Sequence, residues 1–483
     1  MSPTTHISVI IVGGGPVGLT AAHAFSQLGI DFTLLERRDA IEEDVGATIV
    51  LWPHGLRILA QLGLLDKLLA AGTEFLTGTI QTKSGKIFNK TKSPQLCKIN
   101  HGIYPQVFAR SDLVSILYNS LPPSAKSKIH TSKSVTSISS LGPDGGVKAL
   151  CSDNTAYTAT FIIGADGIHS IVRKTILSPA APPPITTPGV PSSSKPPPPP
   201  PPPRPKSPIK TRYSLLWFSL PRSSLPPLPL LLLPPTAAYQ VHHKNLSLQL
   251  LANDKSNLQF CFIYQLLPPN HDPSKKRFPT EKDIEQMIAL PAVASLPLGE
   301  SGLTVKDVWP LRQKHGITPL EEGVLQPAWH YKNQMVVVGD AAHKVTPTAG
   351  QGLNMGLMDV VSLANHVSEL VASVGGGGDQ AKFLERLEED AFKRYRDERI
   401  DSVQEDVKRA GLVTRIAGWR DWRFRLFDRL VMPIPGVDTL LVNKVDCPIM
   451  AKCPVFKGIR VEREPFEGRM EWKEKMPLLE KEG

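Results

Sequence analysis

The chain has 483 residues, with 55 Lys and Arg against 45 Asp and Glu, a formal net charge of +10. That length allows a large core and more than one structural region, and a hydrophobic content of 41% is that of a globular protein. The basic residues are scattered, without a Lys/Arg block interleaved with aromatics, which argues against nucleic acid as the partner.

Residues 7–12, ISVIIV, read as a buried strand and not a secretory leader, because the run leads straight into glycines. From Val17, apolar residues recur at Ala21, Ala24, Phe25 and Leu28, a helical period. Gly29 is placed to end that helix. Residues 30–35 form a second strand ending at Glu36, so the opening reads as strand, glycine turn, helix, strand. Residues 54–70 carry a leucine face with a break near Gly63, and residues 112–121 form a short helix with Asp112 as a possible cap. Residues 146–163 are strand-like and end in Phe161, Ile162 and Ile163.

Residues 179–208 include an unbroken run from Pro196 to Pro203. Proline has no N–H for a ladder and blocks helix hydrogen bonding, so a solvated polyproline II linker or loop is expected. PPPRP at 201–205 has the form of an SH3-type ligand, with a passive insertion as the alternative. Residues 211–268 hold candidate strands, and 335–339 is one more buried strand. A helix is expected from near Gly352 toward Val374, then a charged helical stretch over 380–409. Residues 426–442 are amphiphilic and suit either peripheral contact with a membrane surface or ordinary packing. No stretch approaches the ~20 apolar residues of a spanning helix. The cysteines, Cys97, Cys151, Cys261, Cys447 and Cys453, show neither a disulfide framework nor metal-ligand spacing. A cytoplasmic, reducing setting and no bound metal are expected.

The strongest local signal is Gly13-Gly14-Gly15-Pro16-Val17-Gly18, a G-x-G-x-x-G between a strand and a helix. Gly13 permits the tight turn, Gly15 lets backbone approach a pyrophosphate, and Gly18 lets the helix pack closely on the sheet. The free N–H groups of the helix start face the phosphate charge. Glu36, about twenty residues on, is placed to accept hydrogen bonds from ribose hydroxyls. Arg37 and Arg38 follow, either near the adenosine end or solvated. Arg110 stands before a helix, within reach of a cofactor phosphate or ribose. Asp166, in Gly164-Ala165-Asp166-Gly167, either supports close approach of a ligand or caps a helix. In the third cluster, Gly339-Asp340-Ala341-Ala342-His343 precedes Gly350-Gln351-Gly352-Leu353. Asp340 is placed for a ribityl hydroxyl, and the helix opening at Gly352 for the N1–C2=O edge of a flavin, which gains negative charge on reduction. His343 serves as a general base or positions the loop.

These three segments, IVGGGPVGLTAA with LLER, GADGIHSIVRK and GDAAHKVTPTAGQGLNMGLMD, in this order, resemble the aromatic-hydroxylase (group A) class of FAD-dependent monooxygenases. GATIVLWPHGLRILAQLGLLD at 46–66 and GWRDWRFRLFDRLVMPIPG at 418–436 resemble its fungal meroterpenoid and indole-diterpene branch. The resemblance implies an α/β fold: a Rossmann-like FAD-binding domain of the glutathione-reductase type, an inserted mainly β substrate region and a helical C-terminal part. The implied division is 1–178 and 331–378 for the two FAD-binding parts, 179–210 for the proline-rich linker, 211–330 for the middle sheet and 379–483 for the helical region. It implies FAD reduced transiently by NAD(P)H, then O2 activated as a flavin C4a-hydroperoxide that epoxidises or hydroxylates a small hydrophobic, prenylated or aromatic substrate. Gly13, Gly15, Gly18 and Glu36 would hold the ADP half, with Arg110 and Asp340 as further FAD contacts and Asp166 at the pyrophosphate. Gly46 and Ala47 would line the path to the ring system, where Gly352 and Leu353 sit. Tyr213 is the positional match for a tyrosine beside the substrate, with packing as its alternative role. The prolines before and within the middle sheet depart from the class pattern and are expected to deform that sheet. A flavin dehydrogenase or oxidase without oxygen insertion is the competing enzyme. A flavoprotein scaffold recruited through the proline-rich loop is the non-enzymatic alternative.

Overall fold

The computed structural model describes residues 7–43, 48–142, 145–177, 209–222, 236–267, 280–326, 328–375 and 380–480. The proline-rich stretch 179–208, the segment 225–235, and Gly46 and Ala47 lie outside these residues.

The apolar strand Ser8–Val12 is buried because both of its sides are taken by strands. Asp31–Leu35 pairs with it in parallel on one side and Phe161–Gly164 on the other, with Val12 level with Leu35 and Gly164. Met335–Val337 extends the sheet beyond Phe161–Gly164, His330–Tyr331 closes that edge, and Ile129–His130 closes the other. A parallel sheet of this kind needs helices over its faces. Pro16–Gln27 packs on Arg110–Asn119 and on the long helix Gly352–Ser373. The strand-like stretch at 146–163 resolves into the hairpin Val147–Cys151 and Ala156–Ala159, which joins Val135–Ser140, followed by Phe161–Gly164.

The second layer is an eight-stranded sheet. Its order is His343–Lys344, Lys314–Val324, Lys210–Pro221, Leu258–Leu266, Leu246–Asn253, Ala237–His243, Thr77–Thr82 and Ile87–Thr91. Two of its strands therefore come from the first 100 residues. The central ladder is continuous from Tyr213 opposite Leu266 to Pro221 opposite Leu258. The prolines of 179–208 and 225–235, on which the expected deformation of this sheet rests, lie outside the described residues. One face, with Leu216, Phe218, Leu248 and Ile263, packs on Ile284, Met287 and Val308. The other face looks toward the first domain.

The C-terminal part is helical only as far as Cys447–Met450. Residues 451–480 run back irregularly over the helix Pro53–Gln61, in keeping with Pro454, Pro465 and Pro477. Arg57 fixes this return. It is fully buried, donates to both carboxylate oxygens of Glu464 at 2.7 and 2.8 Å and to the Glu474 carbonyl at 2.7 Å, and lies 4.5 Å over the Trp472 ring. Among the described residues no helix is long and apolar enough to cross a membrane.

Candidate active site

The glycine turn is built around two positions where protein leaves no room. Gly13 has φ +108°, and a Cβ there would lie 2.6 Å from the Ala165 carbonyl oxygen. A Cβ at Gly18 would overlap the Gly13 carbonyl oxygen. Gly15 is different: the nearest atom to its missing Cβ is Nη2 of Arg110 at 3.6 Å, an ordinary contact. Glu36 is buried at the end of its strand. Its carboxylate accepts from the Gly14 amide at 2.6 Å and the Arg38 amide at 2.9 Å, so it braces the turn.

Arg110 begins the helix Arg110–Asn119. Its half-buried guanidinium has no hydrogen-bond or ion-pair partner among the described residues. Burial and then Arg38 push its pKa down, while Glu36 and Asp340 oppose the shift. This cation therefore stands between the first motif and the third.

The second motif couples the other two. Asp166 caps the helix Ile171–Leu177: its Oδ2 accepts from the Ile171 amide at 2.6 Å and the Val172 amide at 3.3 Å, while Oδ1 is buried without a partner. Arg173 donates to the carbonyls of Gly167, Ile168, Asp340 and Ala341 at 2.6–3.4 Å. Val17 of the first helix fills the space over Gly339 and Gly356, where added Cβ atoms would meet its Cγ2 at 3.3 and 2.7 Å.

In the third motif, His343 is buried, 2.6 Å from Asp359 Oδ2, with its ring beside Trp329. Asp359 also accepts from the Gly339 amide at 2.9 Å and Arg399 Nε at 2.9 Å. Burial raises the Asp359 pKa, but His343 and Arg399 outweigh it and hold it at about 2. Asp359, bonded from three sides, thus holds the His343 ring in place. Asp340, by contrast, is open to the cavity, within a protein surround that raises its pKa against His343, Lys344, Arg110 and Arg173. A Cβ added at Gly352 would be 3.8 Å from Asp340 Oδ1 and 3.4 Å from Val345.

Asp340, Gly350, Gly352 and Leu353 form part of the wall of a cavity of about 780 Å³. Opposite them stand Leu251, Phe262 and Tyr264 of the eight-stranded sheet, with Trp52 and Phe75 packed edge to face at 6.5 Å. Tyr264 donates to Gln249 Oε1 at 3.2 Å, and burial raises its pKa, so it stays a neutral donor. Tyr213 does not line this cavity. It shares a sheet face with Tyr264, but stands opposite Leu266, nearer the strand end, and lines a separate pocket with Arg212, Lys244 and Arg420. The structure therefore does not bring Tyr213 to the cavity beside Gly352, where it was expected. Tyr264 and Asn354 were not foreseen. Asn354 accepts from the Trp52 amide at 3.1 Å and donates to the Val50 and Gly350 carbonyls at 3.0 and 2.8 Å, locking the strand Thr48–Leu51 to the helix start.

The profile of a family described as "FAD binding domain" matches residues 6–182 and 325–397, more than half of the chain. The chain belongs to the FAD-dependent monooxygenases. FAD-dependent monooxygenase esdpE of Penicillium shearii is 30% identical over 89% of this chain and 82% of its own. FAD-dependent monooxygenase DEP2 of Alternaria brassicicola is 28% identical over 96% of this chain and 81% of its own. The fold of Klebsiella pneumoniae HpxO, solved with FAD and uric acid, superposes with a TM-score of 0.64 at 18% identity, over 92% of this chain and 97% of that one. This monooxygenase binds FAD, and its site fits the cofactor on its own terms. Among the described residues Arg110 is a cation without an acceptor, Gly15 and Gly352 are glycines that protein packing does not require, and Arg110 beside Gly15 feels the charge of Asp340 beside Gly352. Among the described residues of the monooxygenase, no cluster of His, Cys, Asp and Glu is arranged to hold a metal.

Proposed function

We propose that this monooxygenase uses NAD(P)H and O2 to epoxidise or hydroxylate a hydrophobic, prenylated or aromatic secondary metabolite. The observation that carries this reading is the shared cavity, in which the helix opening at Gly352 and Asp340 face an aromatic and aliphatic wall. Such a wall binds by apolar burial with few polar contacts to set orientation.

Gly13, Gly15, Gly18 and Glu36 hold the ADP half, with Arg110 on the pyrophosphate and the free Asp166 Oδ1 close by. Asp340 takes the ribityl chain, and the amides of Gly352 and Leu353 face the flavin ring. Bound FAD supplies the activation of oxygen with electrons from the nicotinamide. The chain's own residues orient the substrate, exclude water and stabilise negative charge at the helix start. Tyr264 takes the substrate-facing place first expected of Tyr213. Replacing Tyr264 with Phe removes the donor to Gln249, and is expected to lower product per NADPH several-fold, whereas Y213F leaves that ratio unchanged.

Incubation with prenylated aromatics, NADPH and oxygen, with product analysis by mass, tests the reading. One oxygenated product per NADPH is expected. Substrate oxidised with stoichiometric peroxide and no inserted oxygen would overturn it in favour of a flavin oxidase.

A further inference from the structure

The large apolar side chains left exposed are concentrated in one stretch, residues 412–445. Trp422 is 69% exposed, Leu430 64% and Leu440 59%, with Leu426 and Ile434 beside them. Trp422, Leu426 and Leu430 are four residues apart along the consecutive helical turns Trp422–Leu426 and Phe427–Val431. Asp428, between the two leucines on the opposite side, is buried. It accepts from Trp419 Nε1 at 2.6 Å and lies 2.8 Å from His242 Nδ1. The segment thus docks on the protein by a polar anchor and turns its apolar stripe outward, the reverse of an ordinary surface helix. A contiguous outward stripe of this kind marks an interaction surface.

The charges around it select the partner. Arg425 and Lys444 are exposed and without an acidic partner among the described residues, and Arg423, also exposed, is paired with Asp421. The acids are occupied: Asp421 pairs with Arg423 at 3.1 Å, Asp428 is buried, and Asp438 accepts from Thr91 and from the Lys92 amide. Two copies related by symmetry would set these arginines against each other. An anionic bilayer meets both features, because Trp sits at the headgroup level while Arg and Lys reach the lipid phosphates.

We propose that residues 412–445 seat the protein on an anionic lipid surface, with Trp422, Leu426, Leu430 and Ile434 in the interface. Val413 and Met432, which line the cavity, belong to the same stretch, so the cavity adjoins the bound face. Entry of the substrate from lipid through that side rests on the proposed function, whereas lipid binding itself does not.

Flotation of the FAD-loaded chain with vesicles tests the proposal. It is expected to float with vesicles of equal parts phosphatidylcholine and phosphatidylserine and to be weakened on phosphatidylcholine alone. L426S/L430S is expected to lower the bound fraction roughly tenfold or more, and R423E/R425E to lower it on the mixed vesicles only. FAD absorbance and far-UV circular dichroism should match the parent, and W422A serves as a single-site check at the most exposed position. No flotation of the parent, or variants that float as well as the parent, would overturn it. So would a dimer in sedimentation equilibrium that L426S/L430S abolishes while the parent fails to float.

Discussion

Gly15 and Gly18 lie three residues apart in one turn, yet the structure demands them for different reasons. A methyl at Gly18 collides with the Gly13 carbonyl, whereas one at Gly15 or Gly352 meets only ordinary contacts. G18A is therefore expected to disrupt the turn and lower the melting temperature of the cofactor-free chain. G15A and G352A are expected to leave that temperature within a degree or two while weakening FAD retention at least tenfold, read by flavin absorbance after gel filtration. Asp446 offers a pH test. Burial raises its pKa to about 6, with Arg409 opposing. A carboxyl raised in the folded state binds its proton more tightly there than in the unfolded chain, so stability falls as pH rises from about 4 to 6 and stays reduced above. A shift of that size corresponds to roughly 2–3 kcal/mol at most. D446N is expected to melt higher than the parent at pH 7.5 and no higher at pH 4, in paired thermal scans.

At the scale of elements, the site is held by connections between segments distant in sequence. Arg173 ties the 3₁₀ turn Gly167–His169 to Gly339–Ala341. Truncation would leave several carbonyls partly buried and unpaired, at about 1–3 kcal/mol each where no water replaces the guanidinium. R173A is expected to lower thermal stability and release FAD, with added FAD restoring only part of the loss. R173K, which keeps charge but not the fork, should fall between them. The glycine turn, the long helix from Gly352 and the four central strands of the six-stranded sheet were legible in the sequence, because each has a period or punctuation of its own, whereas the two-residue edge strands Ile129–His130 and His330–Tyr331 were not. The sheet-side wall of the cavity was not. In LQFCFIYQL at 258–266, Phe260, Phe262 and Tyr264 alternate with Cys261 and Ile263. Both faces are apolar, so polarity cannot reveal which one looks into the cavity. Asn354 was hidden for another reason: its three partners, at Val50, Gly350 and Trp52, are set by tertiary packing.

For the molecule as a whole, chain order and spatial order diverge. The eight-stranded sheet takes strands from residues 77–91 as well as from 210–344, and the parallel sheet reaches from Ser8 to Val337. The expectation of a helical C-terminal region extending to residue 483 fails after Met450, because prolines and glycines there favour a strap over a helix. The amphiphilic character of 426–442 was legible, but not the outward direction of its apolar side or the buried Asp428 anchor, since an amphiphilic segment looks the same in sequence whichever side is docked.

Arg57 gives that strap an unexpected part in biogenesis. Its acceptors Glu464 and Glu474 leave the ribosome some 400 residues after it does. Until then only water can take the hydrogen bonds of a guanidinium destined for the interior, so the face of the helix that bears it stays solvated through nearly all of translation. A prematurely terminated product would carry every nucleotide-binding motif and still lack the counter-charge for one of its most deeply buried cations.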